Sequence, residues 1–155
     1  MGDQVQALTY YRKVEAVQPD NLNIALQIGQ CLTRLENYAE ALSYFYKVEY
    51  LEKNPNKARR AIAWCSFLTG KYEESLKYYR QLTSESSAKA EDWMNTGHVY
   101  RACGNMQEAI KHYQKAHDFF SNHSEFIRMF LKDQAVLEAQ GISSEDIHIQ
   151  LDLLI

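Results

Sequence analysis

Apolar and small residues recur along this chain at helical spacing, and short polar stretches interrupt them at regular intervals. Between residues 22 and 35 they fall at Ile24, Ala25, Ile28, Gly29, Leu32 and Leu35, which defines one face of a helix. After a short break the pattern resumes at Tyr38, Ala41, Leu42, Phe45, Val48 and Leu51. Two amphipathic helices joined by a few residues predict an antiparallel helical hairpin. Gly29 and Ala41 predict a close approach of the two backbones. Phe45 and Tyr79 predict bulky filling between successive hairpins.

The pattern has a period. Tyr11, Phe45, Tyr79 and Tyr113 stand 34 residues apart. Ala7, Ala41, Ser75 and Ala109 keep that interval, as do Val14, Val48, Leu82 and Ala116. A fixed period of this length predicts repeated hairpins that bury one another's outer faces. Punctuation agrees. Pro19-Asp20-Asn21 gives a stop followed by N-cap candidates, Asn54-Pro55 a cap before a proline, and Ser87 a cap for the next run. Gly70 and Gly104 fall between paired helices, where a left-handed residue ends the first. Gly141-Ile142-Ser143 breaks a helix, and Ser143 with Asp146 has the spacing of an N-cap. Ile147, Leu151, Leu154 and Ile155 then predict a short final helix that caps the last hairpin.

Residues 90–123 carry the fullest ladder: Trp93, Gly97, Tyr100, Gly104, Ala109, Tyr113 and Ala116. This ladder resembles the tetratricopeptide repeat. Residues 22–55 keep Gly29, Ala41 and Phe45, with Ala25 at the first aromatic site. Residues 56–89 are the most diverged, keeping Gly70, Tyr72 and Tyr79 but placing Ala63 and Ser75 where Gly and Ala are expected. Residues 2–21 read as the second half of a repeat, with Pro19 at the family's proline site. Residues 124–155 form an atypical terminal unit. The resemblance implies one all-α domain, a right-handed superhelical solenoid of antiparallel helical hairpins with a C-terminal capping helix. Seven main helices and a short one at the C-terminus are expected. The resemblance also implies a protein-interaction scaffold, not an enzyme.

The first helix has no partner of its own. Tyr10, Tyr11, Val14 and Val17 form its apolar face. It reads as the end of a longer array whose preceding helix lies upstream, or as an N-terminal helix that packs from one side only. Both readings leave Tyr10, Tyr11 and Val14 partly exposed and predict self-association there.

Composition narrows the function. The net charge of −3 gives no general pull toward nucleic acid. No run approaches the ~18 apolar residues of a membrane helix, so no membrane insertion is expected. Cys31 and Cys65 are one repeat apart and Cys103 completes an odd count of thiols, which favours a reducing compartment such as the cytoplasm. There is no CxxC, HExxH, GxSxG, Walker loop or GxGxxG. Glu73-Glu74 and Glu145-Asp146 lie near helix N-termini, where the dipole accounts for them. The expectation is no catalytic residue, no metal and no cofactor.

In the family, the first helix of each hairpin lines a concave groove. Carried over, the resemblance places Gln30, Arg34, Arg60, Trp64, Phe67, Asn95, His98 and Arg101 in that groove. Arg128 and Lys132 join them if the helix after Ser124 continues the register. The full set of carried-over positions has six basic and two acidic groups, a net +4 on a chain of −3. This implies an acidic, extended peptide as ligand, and the alternative is an ordinary solvated face. Trp64 and Phe67 are either groove anchors or residues buried by repacking of the diverged repeat. A clamp for chaperone C-termini is mostly missing, because Trp64, Glu125 and Met129 replace the residues it needs. Two other readings remain open: a structural spacer or self-assembling segment, and the regulatory region of an upstream enzyme.

Overall fold

The computed structural model describes residues 2–143, 145 and 146, and every regular element among them is helical. The helices are α1 (Gly2–Val17), α2 (Leu22–Arg34), α3 (Tyr38–Leu51), α4 (Asn56–Leu68), α5 (Tyr72–Thr83), α6 (Ala90–Ala102), α7 (Met106–His117), α8 (His123–Leu131) and α9 (Gln134–Ala139). The chain divides into two compact units, Met1–Cys65 and Ser66–Ile155, and the division falls within α4. The fold is a helical repeat solenoid, in the sense that one hairpin pattern recurs along the chain.

One turn recurs with the hairpins. After α2, the Glu36 N–H donates to the Thr33 carbonyl (3.0 Å) and the Asn37 N–H to the Leu32 carbonyl (2.8 Å). After α4 the same two bonds run from Gly70 to Phe67 and from Lys71 to Ser66. After α6 they run from Gly104 to Arg101 and from Asn105 to Tyr100. This Schellman geometry satisfies carbonyls that the helix end leaves open, and it requires a left-handed residue. Gly70 (φ 75°) and Gly104 (φ 78°) supply it, whereas the first hairpin uses Glu36 at φ 61°. The residue that closes one helix also starts the next. Asn37 accepts from the Glu40 N–H and Asn105 from the Glu108 N–H, while Lys71 caps α5 with no side-chain bond.

The other caps follow the sequence in part. Asn21 accepts from the Ile24 N–H (3.2 Å) and Ser143 Oγ from the Asp146 N–H (3.1 Å), as expected. The α6 start differs: Ser87 turns to Glu85, and Asp92 reaches back to accept from the Lys89 N–H (2.9 Å). Pro55 sits one residue ahead of its expected place, its carbonyl taking the first helical bond from the Arg59 N–H.

In the first unit Ile28, Leu32, Ala41, Phe45 and Val48 are buried between α2 and α3, with the Phe45 ring against the Gly29 backbone. Helix α1 packs on α2 yet contains no buried residue. Polar contacts tie it down: Arg12 to Glu40 at 2.8 Å, the Tyr44 hydroxyl to Glu15 at 3.1 Å, and Lys47 Nζ to the Pro19 carbonyl at 3.1 Å.

In the second unit Tyr79, Leu82, Met94, Val99, Ala109 and Tyr113 are buried among α5, α6 and α7. Phe130 of α8 stacks edge-on against Tyr113, with ring centroids 5.0 Å apart. The register expected to run on through Lys132 does not. Helix α8 stops at Leu131, and Lys132 and Asp133 turn the chain into the separate six-residue α9. Gly141 (φ 86°) ends α9 with the same Schellman pair, Gly141 to Glu138 and Ile142 to Leu137, both at 3.0 Å. Glu145 and Asp146, within the expected final helix, are helical. Its apolar set Ile147, Leu151, Leu154 and Ile155 lies outside the described residues.

Candidate interaction surface

The first unit presents the exposed flank of α2 and the α4 residues up to Cys65. Helices α2 and α4 carry Arg34, Lys57, Arg59 and Arg60 and no acidic residue at all. The helices touch through Thr33, whose hydroxyl donates to the Gly29 carbonyl (2.9 Å) and lies 3.3 Å from Cys65 Sγ. Gln30, Arg60 and Trp64 are half-buried and Arg34 is exposed. Arg34 Nη1 reaches Gln4 Oε1 of α1 (3.4 Å), and Arg59 pairs with Glu49 of α3 (3.6 Å). Within the unit, Gln30, Arg60 and Trp64 thus keep part of their surface open and Arg34 most of it.

The second unit departs from expectation. Phe67 and His98 are fully buried, Asn95 and Arg101 nearly so, and only Arg128 and Lys132 are exposed. Phe67 packs near the Tyr72 ring, with centroids 6.0 Å apart. His98 is enclosed by three elements. Its Nδ1 lies 2.8 Å from the Tyr113 hydroxyl, its Nε2 lies 3.1 Å from Asp133 Oδ2, and its ring meets Phe130 at 5.2 Å. A carboxylate only accepts, so Nε2–H donates to Asp133, and in that neutral tautomer Nδ1 accepts a hydrogen bond from the Tyr113 hydroxyl. His98 is a structural link between α6, α7 and the α8–α9 turn, not an open contact residue. Burial pushes the Tyr113 hydroxyl well above the usual tyrosine range, against the pull of the Arg101 guanidinium.

Arg101 is buried with a weak set of partners. Its Nη1 donates to Met106 Sδ (2.8 Å), and its Nε has no acceptor among the described residues. Burial lowers its pKa, while Tyr113 and Asp146 act the other way. Burial raises the Cys31, Cys65 and Cys103 thiols above the ordinary cysteine value, with Glu73 adding to the effect at Cys103. Among the described residues no group of three His, Cys, Asp or Glu side chains is arranged to hold a metal. No described helix is long and apolar enough to cross a membrane.

A further surface escaped the sequence argument. Trp93, half-buried, borders an open depression with Lys111, His112 and Lys115 on the α7 side of the last hairpin. Trp93 and Tyr100 both stack near His112, at 5.7 and 5.0 Å. The ladder marked Trp93 as a packing residue, which hid its exposed edge.

Two family models described as tetratricopeptide repeat match the chain, one over residues 2–58 and the other over residues 90–123. Two crystal structures of MamA share the fold at 19% identity. Their TM-scores are 0.72 and 0.70, each alignment covers 99% of this chain, and they cover 87% and 83% of the MamA chains. No curated protein matches the chain by sequence.

Proposed function

We propose that this chain, which belongs to the tetratricopeptide repeat family and is a protein-interaction scaffold of that kind, binds an extended acidic segment of another protein. One observation carries the reading: α2 and α4 hold Arg34, Lys57 and Arg60 with no acidic residue on either helix, and α4 also carries the half-buried Trp64. Positive charge without interspersed carboxylates steers an acidic segment in and fixes its register. Trp and Arg are the side chains that most often dominate an interface once water is excluded. The chemistry of this reading is recognition.

The test is a peptide array of acidic, neutral and basic extended peptides against the parent, Trp64→Ala and Arg60→Glu proteins. Acidic peptides should bind the parent best, weaken with salt, and weaken further with either substitution. Identical profiles for all three proteins would remove this face from consideration.

The exposure of α1 favours a second reading, self-association. Tyr10 is 63% and Val17 80% exposed, and no α1 residue is buried. Light scattering over a concentration series decides it: a strict monomer at the highest concentration rejects this reading.

A further inference from the structure

In the second unit residues 133–142 reach α6 through Asp133 and the α4–α5 turn through Gln140. Gln27, Gln30 and Thr33 of α2 are half-exposed, whereas Asn95, His98 and Arg101, at the same positions of α6, are buried. In the second unit the residues after α8 turn back toward α4, α5 and α6. Asp133 accepts from His98, Leu137 and Ile142 are buried, and Gln140 spans a gap between two elements. Its Oε1 accepts from the Tyr72 hydroxyl, and its Nε2 donates to the Leu68 carbonyl in the last turn of α4 (3.4 Å).

The fit is incomplete. Among the described residues, Arg101 keeps a buried Nε without an acceptor and offers Nη1 to the Met106 thioether. Asp146 affects Arg101 electrostatically but forms no ion pair with it. An incoming carboxylate at Arg101 would add a charge-assisted bond that the covering segment does not make. The covering element is also weak by itself. Helix α9 has six residues, too short to persist without its packing, and such segments open below the global unfolding free energy.

We infer that Asp133–Ile142 is a releasable strap, an intramolecular ligand that an outside segment with a carboxylate and apolar anchors displaces from the α6 face. The acidic class of partner rests on the reading above; the strap itself does not.

The experiment uses the full chain and two latch variants, Tyr72→Phe and Gln140→Ala. Hydrogen exchange followed by mass spectrometry reads the strap. Amides of residues 133–142 should exchange about two- to tenfold faster in each variant, the worth of one side-chain hydrogen bond, with α6 and α7 unchanged. The binding probe is a labelled synthetic peptide of residues 132–146. It should bind both latch variants more tightly than the parent by the same factor, and Asp133→Asn in the peptide, which weakens the bond to His98, should weaken it. If residues 133–142 exchange only together with α6 and α7 in all proteins, the segment is core and the inference fails. If the strap loosens but the peptide binds no better, the α6 face is no docking surface and the inference fails as well. Adding Trp64→Ala to a latch variant separates the two readings: the strap results stand unchanged even where the acidic-segment reading of the first unit is lost.

Discussion

Gly97 lies against the ring of Tyr113: a Cβ added at Gly97 would stand 2.5 Å from Tyr113 Cε1 and 2.6 Å from Cδ1. Tyr113 cannot withdraw, because its hydroxyl is held by His98 and its ring by Phe130. Gly97→Ala should therefore overpack the hairpin and cost about 1–3 kcal/mol. Urea unfolding checks this, and an unchanged midpoint would mean that the ring has room to move.

Glu36 occupies a backbone conformation that disfavours a side chain. Its left-handed φ of 61° matches Gly70 and Gly104 at the same turn. A Cβ in this region costs roughly 1–2 kcal/mol, partly offset by the greater unfolded-chain entropy of glycine. Glu36→Gly should stabilise the protein by about 0.5–1 kcal/mol, and Gly104→Ala should destabilise it by a similar amount. Thermal melts of the two variants should shift in opposite directions.

Lys71 begins α5 with no side chain to cap it, whereas Asn37 and Asn105 cap the matching helices. Lys71→Asn should add the missing acceptor for an N–H in the first turn of α5 and contribute about 1 kcal/mol. Calorimetry should show a raised transition; an unaltered one would place the amide out of reach.

Alkali should weaken the fold through two buried tyrosines. Burial holds Tyr79 and Tyr113 above the ordinary tyrosine range. The unfolded chain loses these protons near pH ~10, while the folded chain keeps them. The stabilisation is complete below that pH and is lost as pH rises above it, by about 1.4 kcal/mol per pH unit for each group. Tyr113→Phe should lower the pH slope of stability above pH ~10 by about 1.4 kcal/mol per pH unit. Denaturant titrations across that range provide the check, and equal slopes for parent and variant would contradict it.

The repeat was legible because its cues are local. Tyr72, Gly70 and Ala109 carry their meaning within one hairpin, and the observed helices begin at 22, 56 and 90 and at 38, 72 and 106. Two kinds of feature were not legible. Glu36 takes a glycine's conformation with no residue-type cue, because the two turn hydrogen bonds impose it. The burial of His98 depends on Phe130 and Asp133, which lie more than thirty residues away and belong to no periodic pattern. The α8–α9 break was hidden for a related reason: Lys132-Asp133 contains neither Gly nor Pro, and Asp133 turns there toward His98.

The turn shared by α2, α4 and α6 also constrains how such a chain changes over time. Asn37 and Asn105 each close one helix through the backbone and open the next through the side chain, with no spare residue between. A single codon gained or lost inside a helix rotates everything beyond it by about 100° and moves its apolar face away from the core. A codon gained in the turn separates the closing bond from the opening one. Length can therefore vary cheaply only in whole 34-residue blocks, so duplication and deletion of entire hairpins is the route of change this architecture leaves open.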